Sequence, residues 1–181
     1  MLSTRPDLIP DDIAIELTRL QDDVPPFTGL LARQLIEQAY GESLEQHFLM
    51  FDDEPMASAS IAQVHRAQLH DGTHVVVKVL RPEVEKQIGR DLKLLYTLAR
   101  FAHKYWLEGE RLRPVEVVDE YNKTIHDELD LMREASNASK LRSNFENSTI
   151  IYVPEIYWQH TRRDVMVMEE VTGIPIRDVE A

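Results

Sequence analysis

The chain has 181 residues, a formal net charge of −12 and no cysteine. Because nucleic acids are bound chiefly through Lys and Arg that neutralise phosphates, this acidity argues against a nucleic-acid partner. The lack of cysteine excludes disulfides, thiolate metal sites and a cysteine nucleophile. The sequence has no run of about 18 apolar residues and no signal peptide, so we expect a cytoplasmic location for this chain.

Two helices are predicted at the amino end. Apolar residues recur at helical spacing over residues 10–23, and Pro25 and Pro26 end that helix. Thr28 is a suitable N-cap for a second helix, and Gly41 stands where a C-terminal cap belongs. We assign residues 1–46 to a helical N-terminal extension.

From residue 47 the pattern changes to strands, predicted over 47–56, 61–69 and 74–80. Asp71-Gly72 between the second and third strands is a hairpin signal, because Gly tolerates the positive φ that the turn requires. The third run is rich in valine, which favours a β-strand.

Long helices follow over 83–106 and 114–145, and then two further strands over 149–158 and 164–171. A single helix over 114–145 would be roughly 45 Å long, so we expect it to bend or break. Five strands clustered around long helices favour an α+β fold with an antiparallel sheet.

Lys78 stands inside the valine-rich third strand. A strand that apolar is buried on at least one face, and a lysine there needs an anionic partner. From the pattern alone two interpretations stay open. Lys78 is a phosphate-binding lysine on the third strand of a kinase-like sheet, or it is an ordinary lysine on the solvent face.

Acidic residues crowd the last predicted helix, at Asp127, Glu128, Asp130 and Glu134. Asp130 and Glu134 are four residues apart and share one face, and Arg133 could pair with Asp130. Such a face can meet a cation, or it can simply be solvated. The seven histidines lack the spacing of a zinc motif, so no metal site is predicted.

A loop of small residues, Ala57, Ser58, Ala59 and Ser60, lies between the first two predicted strands. Small residues let the backbone approach a ligand, and its N–H groups can surround a phosphate. A hairpin turn made of small residues is the alternative. This stretch, residues 57–60, is called the small-residue loop below.

Taken in order, these segments resemble the UbiB/ADCK family of atypical kinase-like proteins, which is tied to ubiquinone (coenzyme Q) biosynthesis. The likeness covers essentially the whole chain and is strongest to the bacterial UbiB branch. Five motifs carry it. An alanine-rich loop with its following strand lies at residues 55–65, and a third-strand lysine motif lies at 75–79. A Glu-x-Asp motif lies at 128–130, a helix glutamate segment at 133–135, and a fifth strand with a hinge at 165–171.

The resemblance implies a protein-kinase-like N-lobe over residues 47–181, with a helical insert at 83–145, that binds ATP or ADP. Lys78 would hold the α- and β-phosphates and pair with Glu134, which is the general kinase device for positioning nucleotide. The small-residue loop would cover the phosphates in place of a Gly-rich loop.

The resemblance also implies roles for residues around the base. Val64 and Val76 would sandwich the adenine, and Met168 would be the gatekeeper. Backbone groups of Glu169 and Val171 would bond the adenine edge. Glu128 and Asp130 would belong to a specialised extension that lies over the active site and contributes to catalysis.

Three motifs of the family are missing from the 181 residues: Lys-x-Gly-Gln, a His-x-Asp catalytic loop and an Asp-Phe-Gly-like metal motif. In the family the last two lie in a C-lobe, which is followed by a membrane segment that associates the full-length protein with the inner membrane. Without a C-lobe there is no catalytic base and no dedicated Mg²⁺ ligand, so we expect ATP binding with little turnover.

Two expectations about partners follow from the missing C-lobe. A lone lobe would expose apolar surface and self-associate, whereas ubiquinone-biosynthesis proteins or lipid would be partners of the full-length protein. The alternative to an ATP-binding part of a kinase or ATPase is a non-catalytic module that binds nucleotide or protein.

Overall fold

A computed structural model of the chain describes residues 25–106 and 109–173. The predicted helix over residues 10–23 lies outside these residues, and the boundary of the N-terminal extension stays a prediction. The elements in chain order are α1 (Gly29–Tyr40), a 3₁₀ turn (Leu44–Gln46), β1 (Met50–Ser58), β2 (Ala62–Gln68), β3 (His74–Leu80), α2 (Val84–Tyr105), α3 (Gly109–Leu112), α4 (Pro114–Glu128), α5 (Leu131–Asn144), a second 3₁₀ turn (Trp158–His160) and β4 (Val165–Glu169).

The strands form one antiparallel sheet in the order β1-β2-β3-β4, which confirms the α+β class. The predicted hairpin between β2 and β3 is present. Gly72 has a φ of 88°, and the Thr73 backbone N–H donates to the Asp71 carboxylate at 2.9 Å. The turn therefore lies at Asp71-Gly72, as the sequence predicted.

The prediction of five strands is wrong, because the sheet has four among the described residues. In the segment 149–158 only Ile156 pairs with the sheet, as an isolated bridge to Met168. The N–H of Tyr157 donates to the Val167 carbonyl at 2.9 Å. Pro154 has no N–H, so the ladder cannot extend back toward residue 149.

The two faces of the sheet carry different helices. Val75, Val77 and Val79 point to one face, where α1 covers them with Ala32 and Ile36. Val76, Lys78 and Leu80 alternate to the opposite face, as the period of a strand requires. The core on that second face includes two α5 residues and residues of the sheet and the bridge: Leu131, Ala135, Ala62, Leu80, Ile156 and Met166. These are called the α1 face and the α5 face below.

The long helix predicted over 114–145 breaks in two at residues 129 and 130. The Asp130 carboxylate accepts from the Met132 N–H at 3.0 Å and so caps α5, while the Leu131 N–H donates to the Arg163 carbonyl at 2.9 Å. Leu129 and Leu131 are buried on either side of this cap. Burial of both leucines and the side-chain cap favour a break over one continuous helix.

Helices α2 and α4 form a hairpin apart from the sheet, called the α2–α4 hairpin below. Their contact is built on Leu92, Ala99 and Val118. Among the helices of the described residues, none is both long and apolar enough to span a bilayer.

Candidate functional site

Lys78 and Glu134 meet on the α5 face. The Lys78 Nζ donates to both carboxylate oxygens of Glu134, at 2.6 and 2.7 Å. The two side chains are 21% and 44% exposed. Because water reaches the pair, its net contribution to stability is small, on the order of 1 kcal/mol or less. Its main effect is to fix the position of the ammonium group.

The pair forms because strand alternation and helix packing bring the two side chains to the same face of the sheet. Alternation sends Lys78 to the α5 face between Val76 and Leu80. Leu131 and Ala135 are fully buried against that face and so hold the first turn of α5 on the sheet. Glu134, next to Ala135, is thereby brought over β3. The lysine therefore has an anionic partner on this face, and its role in binding phosphate stays a prediction.

A cleft of about 690 Å³ opens beside the pair, between β3, α4 and α5. Charged and polar groups line most of it: Lys78, Thr124, Asp127, Glu128, Arg133, Glu134, Ser136, Asn137 and Lys140, with Ile61. Glu128 therefore lies in the same cleft as Lys78, whereas the Asp130 carboxylate caps α5. Arg133 forms its ion pair with Asp127, so the expected pairing of Arg133 with Asp130 is wrong. The reason is the break in the helix, which moves Asp130 out of the face that the sequence predicted.

Three apolar side chains share the α5 face with Lys78. Val64 lies directly opposite Lys78 on β2, and Met168 lies opposite Val76 on β4. Val76 is buried, while Val64 and Met168 are half-buried. Farther along this face, Arg66 and Glu170 form an ion pair at 2.8 Å. Val64, Val76 and Met168 therefore form an apolar platform on the same face as the Lys78 ammonium group.

Glu169 ends β4, and its side chain is held by neighbours. Its carboxylate accepts from the Tyr152 hydroxyl at 2.6 Å and from the Glu155 N–H at 3.1 Å, with Arg142 of α5 at 3.7 Å. The hydrogen bond from Tyr152 is the largest cause that lowers the pKa of Glu169 below its ordinary value. The Glu169 N–H donates to Glu155, away from β3. The Glu169 carbonyl points to that same edge, because the N–H and the carbonyl of one strand residue lie on the same side. Val171 follows beyond the strand and is exposed.

The small-residue loop is half strand and half turn. Ala57 and Ser58 belong to β1, and the Ala59 N–H closes the turn on the Ala62 carbonyl at 2.8 Å. Ala57 pairs with Val64 and so shares the α5 face, whereas Ser58 pairs with Gln63 on the α1 face. Ala59 and Ser60 are exposed at the tip.

Arg81, which directly follows β3, is a residue for which the sequence indicated no role. The Arg81 guanidinium donates to the Ser58 hydroxyl at 2.7 Å and to the Ala59 carbonyl at 2.8 Å. The one available signal is alternation, which puts residue 81 on the face opposite Lys78. No sequence pattern indicates what an arginine would contact there.

Gln63 and His65 are a second set that the sequence left without a role. Both are fully buried on the α1 face. The Gln63 side-chain amide accepts from the Phe27 N–H and donates to the Phe27 carbonyl, each at 3.0 Å. His65 lies 2.9 Å from that amide through Nε2 and 2.8 Å from the Asp52 carbonyl through Nδ1. Burial is the main cause that lowers the pKa of His65.

These features define a class of protein. An antiparallel sheet whose third strand presents a lysine to the glutamate of a packed helix is the arrangement by which protein kinases position nucleotide. The fold is therefore that of a kinase-like protein.

Comparison with known proteins agrees. The model of the ABC1 atypical kinase-like domain matches residues 19–181, so the chain belongs to this family. The chain is 59% identical over 181 residues to "Probable protein kinase UbiB" of Marinobacter nauticus, covering 100% of this chain and 33% of the relative. To the protein of that name from Pseudomonas aeruginosa it is 56% identical over 180 residues, covering 99% and 34%. These findings confirm the predicted family.

A solved structure gives the same fold. The structure described as the complex of Rv3197 with erythromycin from Mycobacterium tuberculosis matches with a TM-score of 0.70 and 29% identity, over 98% of this chain and 44% of that one. The chain therefore spans about a third of the length of the curated relatives it matches and under half of this structural relative.

Proposed function

We propose that these 181 residues are the ATP-binding part of a UbiB-like atypical kinase or ATPase that supports ubiquinone biosynthesis. The observation that carries the proposal is the bidentate contact of Lys78 with Glu134 beside a cleft. The names of the bacterial relatives support the link to ubiquinone.

The residues present fit ATP. The Lys78 ammonium is the cation for the phosphate oxygens, and Glu134 keeps it in place. The apolar platform of Val64, Val76 and Met168 offers a surface for the adenine ring. The cleft of about 690 Å³ lies within the usual range of small-molecule sites, roughly 300–1,000 Å³, and its lining includes Lys78 and Glu134 but none of the three platform residues.

Backbone groups complete the proposed site. The carbonyl of Glu169 and the N–H of Val171 would bond the edge of the base, and the small-residue loop would cover the phosphates. Mg²⁺ would enter with ATP, held through phosphate oxygens, and it would neutralise phosphate charge. Catalytic roles for Glu128 and Asp130 stay predictions.

We further propose that these residues bind nucleotide with little turnover. Phosphoryl transfer needs a base or water-positioning residue and carboxylates that hold the metal. The kinase motifs that supply these groups do not occur in the 181 residues.

Titration calorimetry with Mg-ATP and Mg-ADP tests binding. We expect Lys78→Ala to weaken binding by about tenfold or more, because a hydrogen bond to a charged group contributes about 1.5–3 kcal/mol. Lys86→Ala is the matched control, since Lys86 is an exposed lysine that pairs with Glu83. Equal affinity of the wild-type chain and Lys78→Ala would contradict the proposal.

Hydrolysis tests the second part of the proposal. The purified chain should hydrolyse ATP no faster than Lys78→Ala. A clear lysine-dependent rate would contradict low turnover while leaving ATP binding intact.

A protein-binding module is the second candidate, favoured by the α2–α4 hairpin. An apolar groove of about 420 Å³ lies between its helices, and Leu98 and Val117 at its rim are 57% and 63% exposed. We propose that the isolated chain self-associates through this groove and that partners from ubiquinone biosynthesis, or lipid, contact the full-length protein. Light scattering should show dimers that Leu98→Gln reduces, and a clean monomer at high concentration would contradict this.

A further inference from the structure

Arg81 contacts the small-residue loop and its flank through both its side chain and its backbone. Its guanidinium donates from Nε to the Ala59 carbonyl at 2.8 Å and from Nη2 to the Ser58 hydroxyl at 2.7 Å. Its backbone N–H donates to the Ile61 carbonyl at 2.8 Å. One residue therefore binds both flanks of the turn that joins β1 to β2.

The same guanidinium also reaches the segment that precedes α1. Nη2 donates to the Pro25 carbonyl at 3.1 Å, and the guanidinium carbon lies 5.7 Å from the centre of the Phe27 ring. The Gln63 side-chain amide makes two hydrogen bonds to the Phe27 backbone, each at 3.0 Å. Arg81 is thus itself oriented by a segment that is fixed to the buried part of β2.

These contacts lie on the side of the sheet away from the cleft. Ser58 pairs with Gln63, whose side chain is buried on the α1 face, and Arg81 follows Leu80, which points to the α5 face. The guanidinium therefore lies beyond the end of β3, on the α1 side of the sheet, whereas Lys78 faces the α5 side. It can hold the loop without occupying the α5 face, where a ligand would bind.

The fork of an arginine suits this task in a way that a lysine does not. A guanidinium offers several N–H groups in a fixed plane, so it can bond two loop acceptors and the Pro25 carbonyl at once, whereas an ammonium is a single point charge on a flexible stem. A loop that is already ordered does not lose that ordering entropy when a ligand binds.

We propose that Arg81 is a positioning residue that keeps the small-residue loop in its phosphate-covering geometry and thereby sets the affinity for nucleotide phosphates. This inference rests on the proposed ATP-binding function. If Arg81→Lys leaves the loop in that geometry about a tenth of the time, the apparent Kd for Mg-ATP rises about tenfold. Adenosine, which has no phosphates for the loop to cover, should bind Arg81→Lys as it binds the wild-type chain.

The experiment combines calorimetry with a loop probe. Since the chain has no cysteine, Ser60→Cys gives a single site for a fluorescent label at the exposed tip of the loop. Kd values for Mg-ATP and adenosine, and the anisotropy of the label, are measured in the wild-type background, Arg81→Lys and Ser58→Ala. Ser58→Ala removes one acceptor and leaves Arg81 unchanged. Arg163→Lys is the control, because Arg163 pairs with Glu85 away from the loop.

The expected result is a lower anisotropy and a weaker Mg-ATP affinity in Arg81→Lys, a smaller change of the same sign in Ser58→Ala, and no change in Arg163→Lys. Unchanged anisotropy, unchanged Mg-ATP affinity, or an equal loss for adenosine would each overturn the inference. If Lys78-dependent ATP binding persists while Arg81→Lys binds normally, only this inference fails. If the wild-type chain binds no nucleotide, the proposed function fails with it.

Discussion

The sheet with α1 and α5 differs from the α2–α4 hairpin in how completely its apolar residues are covered. In the sheet, Val75, Val77 and Val165 are 0% exposed. In the hairpin Leu92, Ala99 and Val118 form a buried cluster, and α2 keeps exposed apolar residues at Leu94, Leu98, Phe101 and Tyr105. Both regions have regular helical or strand periodicity, so periodicity alone does not measure how much of a face is buried.

The difference has an energetic consequence. Burial of a whole aliphatic side chain contributes about 1.5–3 kcal/mol, and the hairpin has few such side chains. Regions with few buried apolar contacts open at a lower free energy than the core. The proposed ATP site lies mainly on the better-covered region, where Lys78 and Glu134 are held by a packed sheet and helix.

The largest effect is expected from one substitution made in both regions. Leu131→Ala on α5 should lower the free energy of unfolding by about 2–5 kcal/mol, because Leu131 is fully buried and its removal leaves a cavity. Leu98→Ala on α2 should change it by about 0.5 kcal/mol or less, since Leu98 is 57% exposed. Urea denaturation followed by circular dichroism measures both. Equal losses would show that the hairpin is as tightly packed as the sheet.

A second pair of variants changes glycine to alanine. In Gly29→Ala the new Cβ would lie 2.3 Å from the Asp53 carbonyl oxygen, so α1 or β1 must move, at a cost of about 1–3 kcal/mol. In Gly89→Ala on α2 the Cβ meets no atom within 4 Å, and the better helix propensity should stabilise the chain by about 0.5–1 kcal/mol. Thermal unfolding should therefore shift in opposite directions. A lower Tm for Gly89→Ala would mean that this side of α2 is covered.

The third effect is on the pH dependence of stability. Burial lowers the pKa of His65 and of His160, so the folded chain favours their neutral rings. The unfolded chain takes up these protons near pH 6.5, and the stabilisation is complete above that pH. It is lost as the pH falls below 6.5, by at most about 1.4 kcal/mol per pH unit for each ring.

Urea midpoints between pH 7.5 and pH 5 check this sign. His65→Gln, which cannot take up a proton in this range, should flatten the dependence. A chain that becomes more stable as the pH falls from 6.5 would contradict the assignment of neutral buried rings.

Local patterns predicted most of the elements. The Thr28 cap, Gly41 and the Asp71-Gly72 turn are signals within a few residues, so the bounds of α1 and of the β2–β3 hairpin followed from them. The predicted strand over 149–158 is reduced to one bridge at Ile156, because Pro154 has no N–H to donate to a ladder. The break at Asp130 was expected from helix length, but its position depends on the contact of Leu131 with Arg163, far away in the sequence.

The sequence by itself determined the family, the order of the elements and the residue types at the site, because motifs and periodicity are local properties of the chain. The family resemblance also implied that Lys78 pairs with Glu134, but no motif implied the Arg81 contacts, and both sets of contacts form only through tertiary packing. The Lys78–Glu134 contact joins residues 56 positions apart, and the Arg81 contacts with the small-residue loop join residues 22 and 23 positions apart. Such contacts depend on which sheet face and which helix turn each residue occupies after packing, and no local propensity encodes that choice.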